Sequence, residues 1–243
     1  MYDRLNIIIP VYNEGANIAR TIESIDQKIK TPNDISIIYD FDEDDTLPVA
    51  RELMKSRTNI TLVKNRFNRG VLNAIKTGFD HVPSGVVLVV MADLSDDLAA
   101  VDPMFAKINE GYDIVCGSRY MRGGRQIGGP WLKKALSRTA GVSLCYLVSI
   151  PTHDVTNSFK MYTKKVLRAI VIESNGGFEL GMEIVIKAFL MGFKIGEVPS
   201  VWTDRTAGES RFMLKKWLPK YIHWYLFAIK GTLRKRLPGS PLA

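Results

Sequence analysis

Three apolar segments that each run into acidic residues constrain the fold of this chain more than any other feature. Amphipathic helical patterns separate the segments, and this alternation is typical of β-α-β units in a parallel sheet with helices on both faces. The segments are 5–11, 35–39 and 86–91, and the acidic residues that follow them are Glu14, Asp40, Asp42 and Asp93. Because the carboxyl ends of parallel strands meet at one edge of such a sheet, we expect these carboxylates to line a single ligand-binding crevice.

The remaining periodicity predicts a mostly parallel, doubly wound sheet, with less regular structure in the second half of the chain. Apolar residues at helical spacing predict helices at 17–29, 48–54, 71–79, 101–108 and 179–191. Further strands are predicted at 60–63, 112–116, 156–162 and 195–201. The segment 117–129 holds three arginines among five glycines and is expected to be a mobile basic loop.

The charge of the chain is divided unevenly between its two halves. Residues 1–110 carry 12 Lys and Arg against 17 Asp and Glu, whereas residues 111–243 carry 21 against 8. The first part therefore has a net charge of −5 and the second a net charge of +13. This asymmetry predicts one end that binds a metal ion or a nucleobase and another end that binds anions. Nucleic acid is not expected as the anion, because the sequence contains no nucleic-acid-binding motif.

The carboxyl-terminal segment combines aromatic and basic residues and is expected to contact a membrane surface. These residues include Trp217, Trp224 and Tyr225 with Lys215, Lys216, Lys220 and Lys230. They fit a helix at the interface of an anionic bilayer, and the alternative is an amphipathic helix packed on the domain. We expect a main domain at 1–213 and a membrane-surface segment at 214–243. Since no apolar run is long enough to span a membrane and no signal peptide is visible, we expect a cytoplasmic protein, peripheral at the inner face of the membrane.

Clustered carboxylates at the strand ends suit the base and ribose of a nucleotide, with a divalent cation under its phosphates. The spacing Asp40-x-Asp42-x-Asp44 also resembles the start of a calcium-binding loop. That loop needs Gly where Asp45 stands and Glu where Arg51 stands, so we reject it. A simpler alternative is a solvated turn whose acids cap the following helix, which suits Asp45 better than Asp40.

Motifs along most of the chain resemble one enzyme family. The turn Pro10-Val11-Tyr12-Asn13-Glu14, the acidic end of the second strand and Asp93 together resemble the family-2 glycosyltransferases of GT-A fold. Later motifs are similar to the polyprenyl-phosphate (dolichol-phosphate) mannose synthase branch. They are Gly117-Ser118-Arg119-Tyr120, Thr156-Asn157-Ser158-Phe159-Lys160-Met161-Tyr162, Gly177-Phe178-Glu179, Ile195-Gly196-Glu197-Val198-Pro199 and Gly208-Glu209-Ser210-Arg211. The resemblance implies a mostly parallel sheet with a short antiparallel part, followed by amphipathic helices.

The resemblance also implies roles for individual residues. The donor-binding residues would be Pro10, Tyr12, Glu14, Asp40, Asp42, Ser210 and Arg211. Asp93 would be catalytic by facing a divalent metal, Mg²⁺ or Mn²⁺, and the donor diphosphate. Arg119 and Lys133 would also be catalytic and, with Ser137, would bind the phosphate of the acceptor. The implied reaction is inverting transfer of a hexose from a nucleotide diphosphate sugar (GDP-mannose or a UDP-hexose) to a polyprenyl (dolichyl or undecaprenyl) phosphate.

The chain departs from the family pattern at several positions. Met91-Ala92-Asp93 replaces the usual Asp-Ala-Asp, so a thioether, which is a poor ligand for hard cations, takes the place of a carboxylate. Phe41 stands within a motif that often reads Asp-Asp-Gly-Ser, and Lys160 stands where Arg is frequent. Asp96 or Asp97 could compensate for the missing carboxylate. The donor is therefore less determined than the class of reaction.

Two alternatives stay open from the sequence. The enzyme could use a hydroxyl acceptor in cell-envelope polysaccharide synthesis, and Glu179 or Glu183 would then be the candidate general base. The second alternative is an inactive nucleotide-sugar-binding subunit, which Met91 favours. His153 precedes Asp154, but no nucleophile lies near them in sequence, so we expect His153 to be structural.

Overall fold

A seven-stranded sheet forms the centre of the molecule in the computed structural model, which describes residues 1–204 and 214–236. Its strands are β1 (Leu5–Pro10), β2 (Asn33–Tyr39), β3 (Ile60–Lys64), β4 (Val86–Val89), β5 (Ile114–Ser118), β7 (Lys160–Thr163) and β8 (Ile195–Pro199). Their order across the sheet is β3-β2-β1-β4-β7-β5-β8. Only β7 runs antiparallel to its neighbours among these described strands. The α/β class, with a mostly parallel sheet and a short antiparallel part, is therefore confirmed.

Helices cover both faces of this sheet. They are α1 (Gly15–Lys28), α2 (Thr46–Met54), α3 (Val71–His81), α4 (Val101–Asn109), α5 (Trp131–Val148), α6 (Lys164–Ala169), α7 (Leu180–Leu190) and α8 (Leu214–Arg236). The apolar faces of α1 and α4 pack on one side of the sheet, and those of α3, α5, α7 and α8 pack on the other. β4 is buried along its whole length, as expected for a strand covered on both faces. Each buried aliphatic side chain of this core stabilises the fold by about 2 kcal/mol.

Two short strands form a second sheet where a mobile loop was expected. β6 (Arg125–Ile127) pairs in parallel with β9 (Val201–Thr203), so part of the segment 117–129 is regular structure. The first residue of β9 donates its N–H to the Asp97 carboxylate at 3.2 Å, and the last donates to the carbonyl oxygen of Ser95 at 3.1 Å. The small sheet thus joins the glycine-rich segment to the loop that follows β4.

Several strands of the main sheet, including β4, β7 and β8, are shorter than the sequence predicts, and at β4 and β7 carboxylates take up backbone N–H groups beyond the strand ends. β4 stops before Met91, whose N–H donates to the side chain of Asp96 at 3.1 Å. β7 begins only at Lys160, because Asn157 donates its N–H to the side chain of Asp154 at 3.1 Å. Polar turns therefore replace strand at both places.

The last helix, α8, turns its tryptophans toward the protein. Trp217 and Trp224 are 8% and 4% exposed, and Trp224 belongs to the same core cluster as α7. The expectation that these two indole rings face lipid headgroups is therefore wrong. The outer face of α8 instead exposes Ile222, Leu226, Phe227 and Leu233. Within the described ranges, no helix combines the length and the apolar character that crossing a bilayer requires.

Candidate active site

The carboxyl ends of β2, β1 and β4 lie side by side at one edge of the sheet. In the parallel ladders, Pro10 lies opposite Ile38 and Ile8 lies opposite Val89. The turns that leave these strands carry Tyr12 and Glu14, Asp40 and Asp42, and Asp93. The sheet order therefore brings the three acidic strand ends to a common edge, as expected.

Two carboxylates of the acidic turn tie the ends of β1 and β2 together. Asp44 is buried and accepts hydrogen bonds from the N–H groups of Asn13 (3.1 Å) and Thr46 (2.9 Å). Asp45 accepts from the N–H of Gly15 at 2.8 Å. These two acids therefore serve the backbone at the start of α1 and α2, which supports the structural alternative for this part of the cluster.

Asp40 and Asp42 have different surroundings. Oδ1 of Asp40 accepts from Nδ2 of Asn65 at 2.7 Å, and its Oδ2 accepts from the N–H of Gly70 at 2.9 Å. Gly70 has a φ of 125°, which a glycine adopts without strain. Asp42 forms an exposed ion pair with Lys64. A ligand at this edge would share Asp40 with the loop that precedes α3, whereas the carboxylate of Asp42 is paired at the surface.

An aromatic and cationic surface lies beside Asp40. The rings of Tyr12 and Phe41 meet edge to face with centroids 5.4 Å apart, and the guanidinium of Arg69 lies 4.8 Å from the centroid of Phe41. Tyr12 is 41% exposed. Phe41, which departs from the family motif, thus presents a ring beside Asp40, and flat surfaces of this kind suit a nucleobase.

The loop after β4 is organised by its own carboxylates. Asp93 accepts from the N–H of Ser95 at 3.1 Å, and Asp96 accepts from the N–H of Met91. Burial, reinforced by the charge of Asp93, raises the pKa of Asp96 to about 7. Both oxygens of Asp97 accept backbone N–H groups, from the helical turn 98–100 and from β9. Asp97 therefore has a structural role, which disfavours it as a replacement for the missing carboxylate.

Asp93 suits a cation that arrives with a diphosphate rather than one caged by the protein alone. In the part of the chain that is described, no three His, Cys, Asp or Glu side chains are grouped to hold a metal ion. Mg²⁺ commonly uses one or two carboxylates together with substrate phosphates and water. The thioether of Met91 is too soft to serve as a further ligand. One carboxylate and a diphosphate match the donor set that such a cation requires.

Arg119, the first residue after β5, is held in a buried ion pair. Its side chain is 10% exposed, and that of Asp154 is fully buried. Nε and Nη2 of Arg119 donate to the two oxygens of Asp154 at 2.7 and 2.9 Å, and the N–H of Arg119 donates to the same carboxylate at 3.0 Å. Burial opposes both charges, but their attraction outweighs it, which raises the pKa of Arg119 and lowers the pKa of Asp154.

Hydroxyl groups surround this guanidinium on the side of α5. Ser137 Oγ accepts from Nη2 of Arg119 at 3.0 Å and from the hydroxyl of Tyr120 at 2.8 Å. It also lies 2.6 Å from Oγ1 of Thr156. Lys133 precedes Ser137 by one helical turn and so lies on the same face of α5. The structure therefore brings Arg119 and Ser137 into contact and places Lys133 on the adjoining turn, where an anion could be bound.

Glu179 and Glu183, the alternative candidates for a general base, both accept hydrogen bonds from backbone N–H groups. Glu179 is 1% exposed and accepts the N–H groups of Gly176 (2.8 Å) and Gly177 (2.9 Å). Glu183 is fully buried and accepts the N–H groups of residues 173 and 174 and the ammonium of Lys187. Both carboxylates shape the loop 173–177, which disfavours a role in deprotonating an acceptor hydroxyl.

The carboxyl-terminal helix reaches the same region. The rings of Trp217 and Phe178 meet edge to face with centroids 5.6 Å apart. Burial and the nearby charge of Glu179 raise the pKa of Tyr221, which also senses the charges of Arg119 and Asp154. Thus α8 packs against the loop 173–179 and lies within electrostatic range of the buried ion pair, an arrangement that the sequence did not predict.

Asp154 is the main residue of the site that sequence reasoning missed. It is the only acidic residue between Asp113 and Glu173, in a stretch that is otherwise basic and apolar. A lone acid in such a stretch is the natural partner of a buried arginine, so this signal was present. Lys160 is fully buried and donates to the backbone oxygens of Val155 and Asn157, so it contributes to the turn rather than to ligand binding. Two predicted donor-binding residues, Ser210 and Arg211, lie outside the described residues.

Comparison with known sequences finds similarity to one family and to curated enzymes, of which two are described here. The family model described as Glycosyl transferase family 2 matches residues 6–171. The dolichol-phosphate mannosyltransferase of Pyrococcus furiosus is 29% identical over 213 residues, which are 86% of this chain and 59% of that protein. The polyprenol monophosphomannose synthase of Mycolicibacterium smegmatis is 28% identical over 239 residues, which are 95% of this chain and 89% of that protein. The chain thus spans 59% of the length of the Pyrococcus relative.

Solved structures show the same fold. The glucosyl-3-phosphoglycerate synthase of Mycobacterium tuberculosis, in complex with UDP, has a TM-score of 0.68 at 16% identity, covering 94% of this chain and 80% of that one. TarS of S. aureus, in complex with UDP-GlcNAc, has a TM-score of 0.63 at 18% identity, covering 93% of this chain and 66% of that one. At these identities the likeness concerns the fold, which is GT-A.

Proposed function

The chain belongs to glycosyl transferase family 2, and from this membership we propose that it transfers a hexose from a nucleotide diphosphate sugar to a polyprenyl phosphate. The observation that carries the acceptor assignment is the buried guanidinium of Arg119 beside the hydroxyls of Ser137, Tyr120 and Thr156. This group of donors suits the oxygens of a phosphate. The names of the two curated relatives support the same acceptor.

The donor would bind at the edge formed by β2, β1 and β4. Tyr12 and Phe41 would contact the nucleobase, and Asp40 would accept a hydrogen bond from the ribose while it retains its contact with Gly70. Pro10, Glu14, Asp42, Ser210 and Arg211 complete the proposed donor-binding set. GDP-mannose and UDP-hexoses are both candidate donors.

Asp93 would hold a divalent cation, Mg²⁺ or Mn²⁺, together with the donor diphosphate. When bound, such a cation supplies positive charge that stabilises the departing nucleoside diphosphate. The chain itself provides one carboxylate at this position, and the fit depends on the phosphates of the donor.

The acceptor requires positioning more than activation. A phosphate monoester has a second pKa of about 6, so it is already a nucleophilic anion near neutral pH. Arg119, Lys133 and Ser137 would hold its oxygens for in-line attack on the anomeric carbon, which inverts the configuration. As the new carbon–oxygen bond forms, the bond to the diphosphate breaks and its electron pair leaves with the nucleoside diphosphate. No general base is needed, in agreement with the engaged carboxylates of Glu179 and Glu183.

A lipid acceptor requires access to a membrane, and the neighbouring helices α5 and α8 offer a surface for it. The two helices contact each other through Ser143 and Tyr225, whose hydroxyl oxygens lie 2.9 Å apart. Their exposed apolar residues are Trp131, Leu132, Leu136, Tyr146, Leu147, Ile222, Leu226, Phe227 and Leu233. The exposed cations Arg138, Lys230, Arg234 and Lys235 accompany them. This surface therefore suits peripheral binding to an anionic bilayer, and we propose the inner face of the membrane and a cytoplasmic protein.

A panel of labelled donors tests the proposal most directly. GDP-mannose, UDP-glucose and other nucleotide sugars would each be incubated with polyprenyl phosphate, or with hydroxyl acceptors, in the presence of Mg²⁺ or Mn²⁺. We expect an inverted hexosyl polyprenyl phosphate from one donor. Transfer only to a hydroxyl acceptor would establish the first alternative. Donor binding without transfer in every combination would favour the inactive subunit, the alternative that Met91 supports.

A further inference from the structure

We propose that Asp154 is a positioning residue that fixes the guanidinium of Arg119 for the acceptor phosphate, and that Glu197 fixes the turn carrying Asp154. This inference rests on the proposed role of Arg119 in binding that phosphate. Asp154 is fully buried behind Arg119, so it would act through the arginine rather than on the substrate.

The contacts of Asp154 define a single orientation of the guanidinium. One edge of Arg119, formed by Nε and Nη2, is used by the two carboxylate oxygens. The backbone N–H of Arg119 binds the same carboxylate, so the side chain is closed back on its own main chain. Asn157 contributes a further N–H to Oδ1 of Asp154. Within the described ranges, the guanidinium donates hydrogen bonds through Nε and Nη2, which leaves Nη1 for a ligand.

Glu197 of β8 holds the turn 152–154 from the opposite side. Its Oε2 accepts from Oγ1 of Thr152 at 3.1 Å and from the N–H of His153 at 2.8 Å, and its Oε1 lies 2.6 Å from Nδ1 of His153. Thr152 Oγ1 in turn accepts the N–H of Asp154 at 3.1 Å. A continuous set of hydrogen bonds therefore runs from β8 to the carboxylate that orients Arg119.

The turn is also in direct contact with the helix that carries Ser137. A Cβ atom on Gly141 would lie 2.1 Å from the carbonyl oxygen of His153, so only glycine permits this approach of α5. Gly141 follows Ser137 by one helical turn. The same close packing therefore sets the distance between Ser137 and Arg119, and one rigid turn positions both proposed phosphate ligands.

Chemical rescue distinguishes a guanidinium-binding site formed by Asp154 from a carboxylate that only stabilises the fold. Arg119→Ala removes the side chain but leaves Asp154 in place, and we expect millimolar methylguanidinium to restore transfer by at least about tenfold. In the double variant with Asp154→Asn, we expect no rescue, because the guanidinium-binding site has lost its negative charge. Tetramethylammonium at equal ionic strength is the control cation. Equal rescue in the double variant, or rescue by the control cation, would overturn the proposal.

Single variants provide a second, kinetic test. Asp154→Asn is expected to lower kcat by about 100-fold, with the KM for the donor changed by less than about threefold. Asp154→Glu should recover part of the loss. Glu197→Gln, which keeps the buried pair itself, should raise the KM for polyprenyl phosphate and lower kcat. Unchanged kinetics in a folded Asp154→Asn or Glu197→Gln protein would contradict the inference.

A readout without turnover separates this inference from the proposed function. If methylguanidinium raises the Tm of Arg119→Ala but not of the double variant, the guanidinium-binding site exists, whichever reaction the protein catalyses. If wild-type protein transfers no sugar to polyprenyl phosphate while this shift is seen, the proposed function fails, and the part of the inference that stands is that Asp154 binds and orients the guanidinium of Arg119. Absence of the shift in Arg119→Ala would refute the inference even in an active enzyme.

Discussion

Met91 is the residue at which this chain departs most from a metal site with two carboxylates. We expect Met91→Asp to lower the Mn²⁺ concentration for half-maximal transfer by about tenfold, because the change replaces a soft thioether by a hard ligand. Transfer rates across a Mn²⁺ titration at saturating donor would measure the effect. Asp93→Asn should act in the opposite direction. An unchanged titration in both variants would place the cation elsewhere.

Arg119 is the residue whose loss should affect transfer most. We expect Arg119→Ala to lower kcat/KM for polyprenyl phosphate by about 100-fold or more, because the phosphate loses a preorganised cation. Initial rates with labelled donor would measure the loss. Arg51→Ala, an exposed arginine on α2, is the matched control and should retain wild-type rates. Wild-type kinetics in a folded Arg119→Ala protein would remove this residue from the site.

Asp96 predicts a pH dependence of stability. Its pKa is about 7 in the folded protein and near 3.8 when unfolded, so the folded state binds more protons between these values. The contribution of Asp96 to the free energy of unfolding therefore falls as the pH rises from about 4 to about 7 and is constant above that range. We expect Asp96→Asn to have a higher Tm than wild type at pH 8 and a similar Tm at pH 4, measured with EDTA. A Tm difference that is independent of pH would contradict this expectation.

Sequence motifs identified some residues of the candidate site, but they did not identify the residues that hold those side chains in place. Arg119 and Ser137 were predicted from the family resemblance, and the structure brings them into contact. Asp154 is considered from the sequence only as a neighbour of His153, because a lone acid in a basic stretch does not by itself identify which arginine, here one 35 positions away, is its partner. Long-range ion pairs depend on sheet order, and periodicity carries little information about that order.

At the scale of elements, α8 has two faces with different expected roles. Trp224→Ala should lower the free energy of unfolding by about 3–5 kcal/mol, because a large side chain leaves the core. Leu233→Ala, at a position of the same helix that is 56% exposed, should lower it by less than about 1 kcal/mol. Chemical denaturation would measure both. Similar losses in the two variants would show that the helix does not separate a buried face from an exposed one.

The helices and strands of the first half could be predicted because the apolar residues of each follow a clear period, and polar or turn-forming residues mark where each element ends. β1, α1, β2 and α3 begin and end within a few residues of the predicted limits. In the second half, the amphipathic pattern of α8 indicated a helix but not which side is buried. Aromatic residues with basic neighbours suit both a lipid interface and a protein interface, so only the packed structure separates the two.

At the scale of the whole molecule, the exposed apolar surface of α5 and α8 predicts binding to anionic vesicles. We expect the protein to cosediment with vesicles that contain anionic lipid, and binding should weaken as salt is raised. Leu226→Glu should reduce binding severalfold, because a charge opposes burial of the apolar face in the interface. Met54→Glu, at a half-exposed position on α2, is the matched control. Equal binding of the two variants would exclude this surface.

The class of fold and the family could be predicted from the sequence as a whole, because the motifs recur in a consistent order over most of the chain. The uneven charge also follows the fold, since the acidic strand ends come from the first half and Arg119 from the second. The donor sugar and its base could not be predicted. They depend on a few contacts at the edge of the sheet, where Phe41 and Met91 differ from the family pattern.

A single reversed strand decides which side of the sheet the segment 152–157 occupies. Because β7 runs opposite to β4 and β5, the residues that lead into it arrive where its neighbours end. Were this strand parallel, the same segment would enter from the far edge, and Arg119 would face the reaction centre with no counter-charge behind it. The orientation of the four residues Lys160–Thr163 thus determines whether a counter-ion is in place to stabilise the buried charge of Arg119.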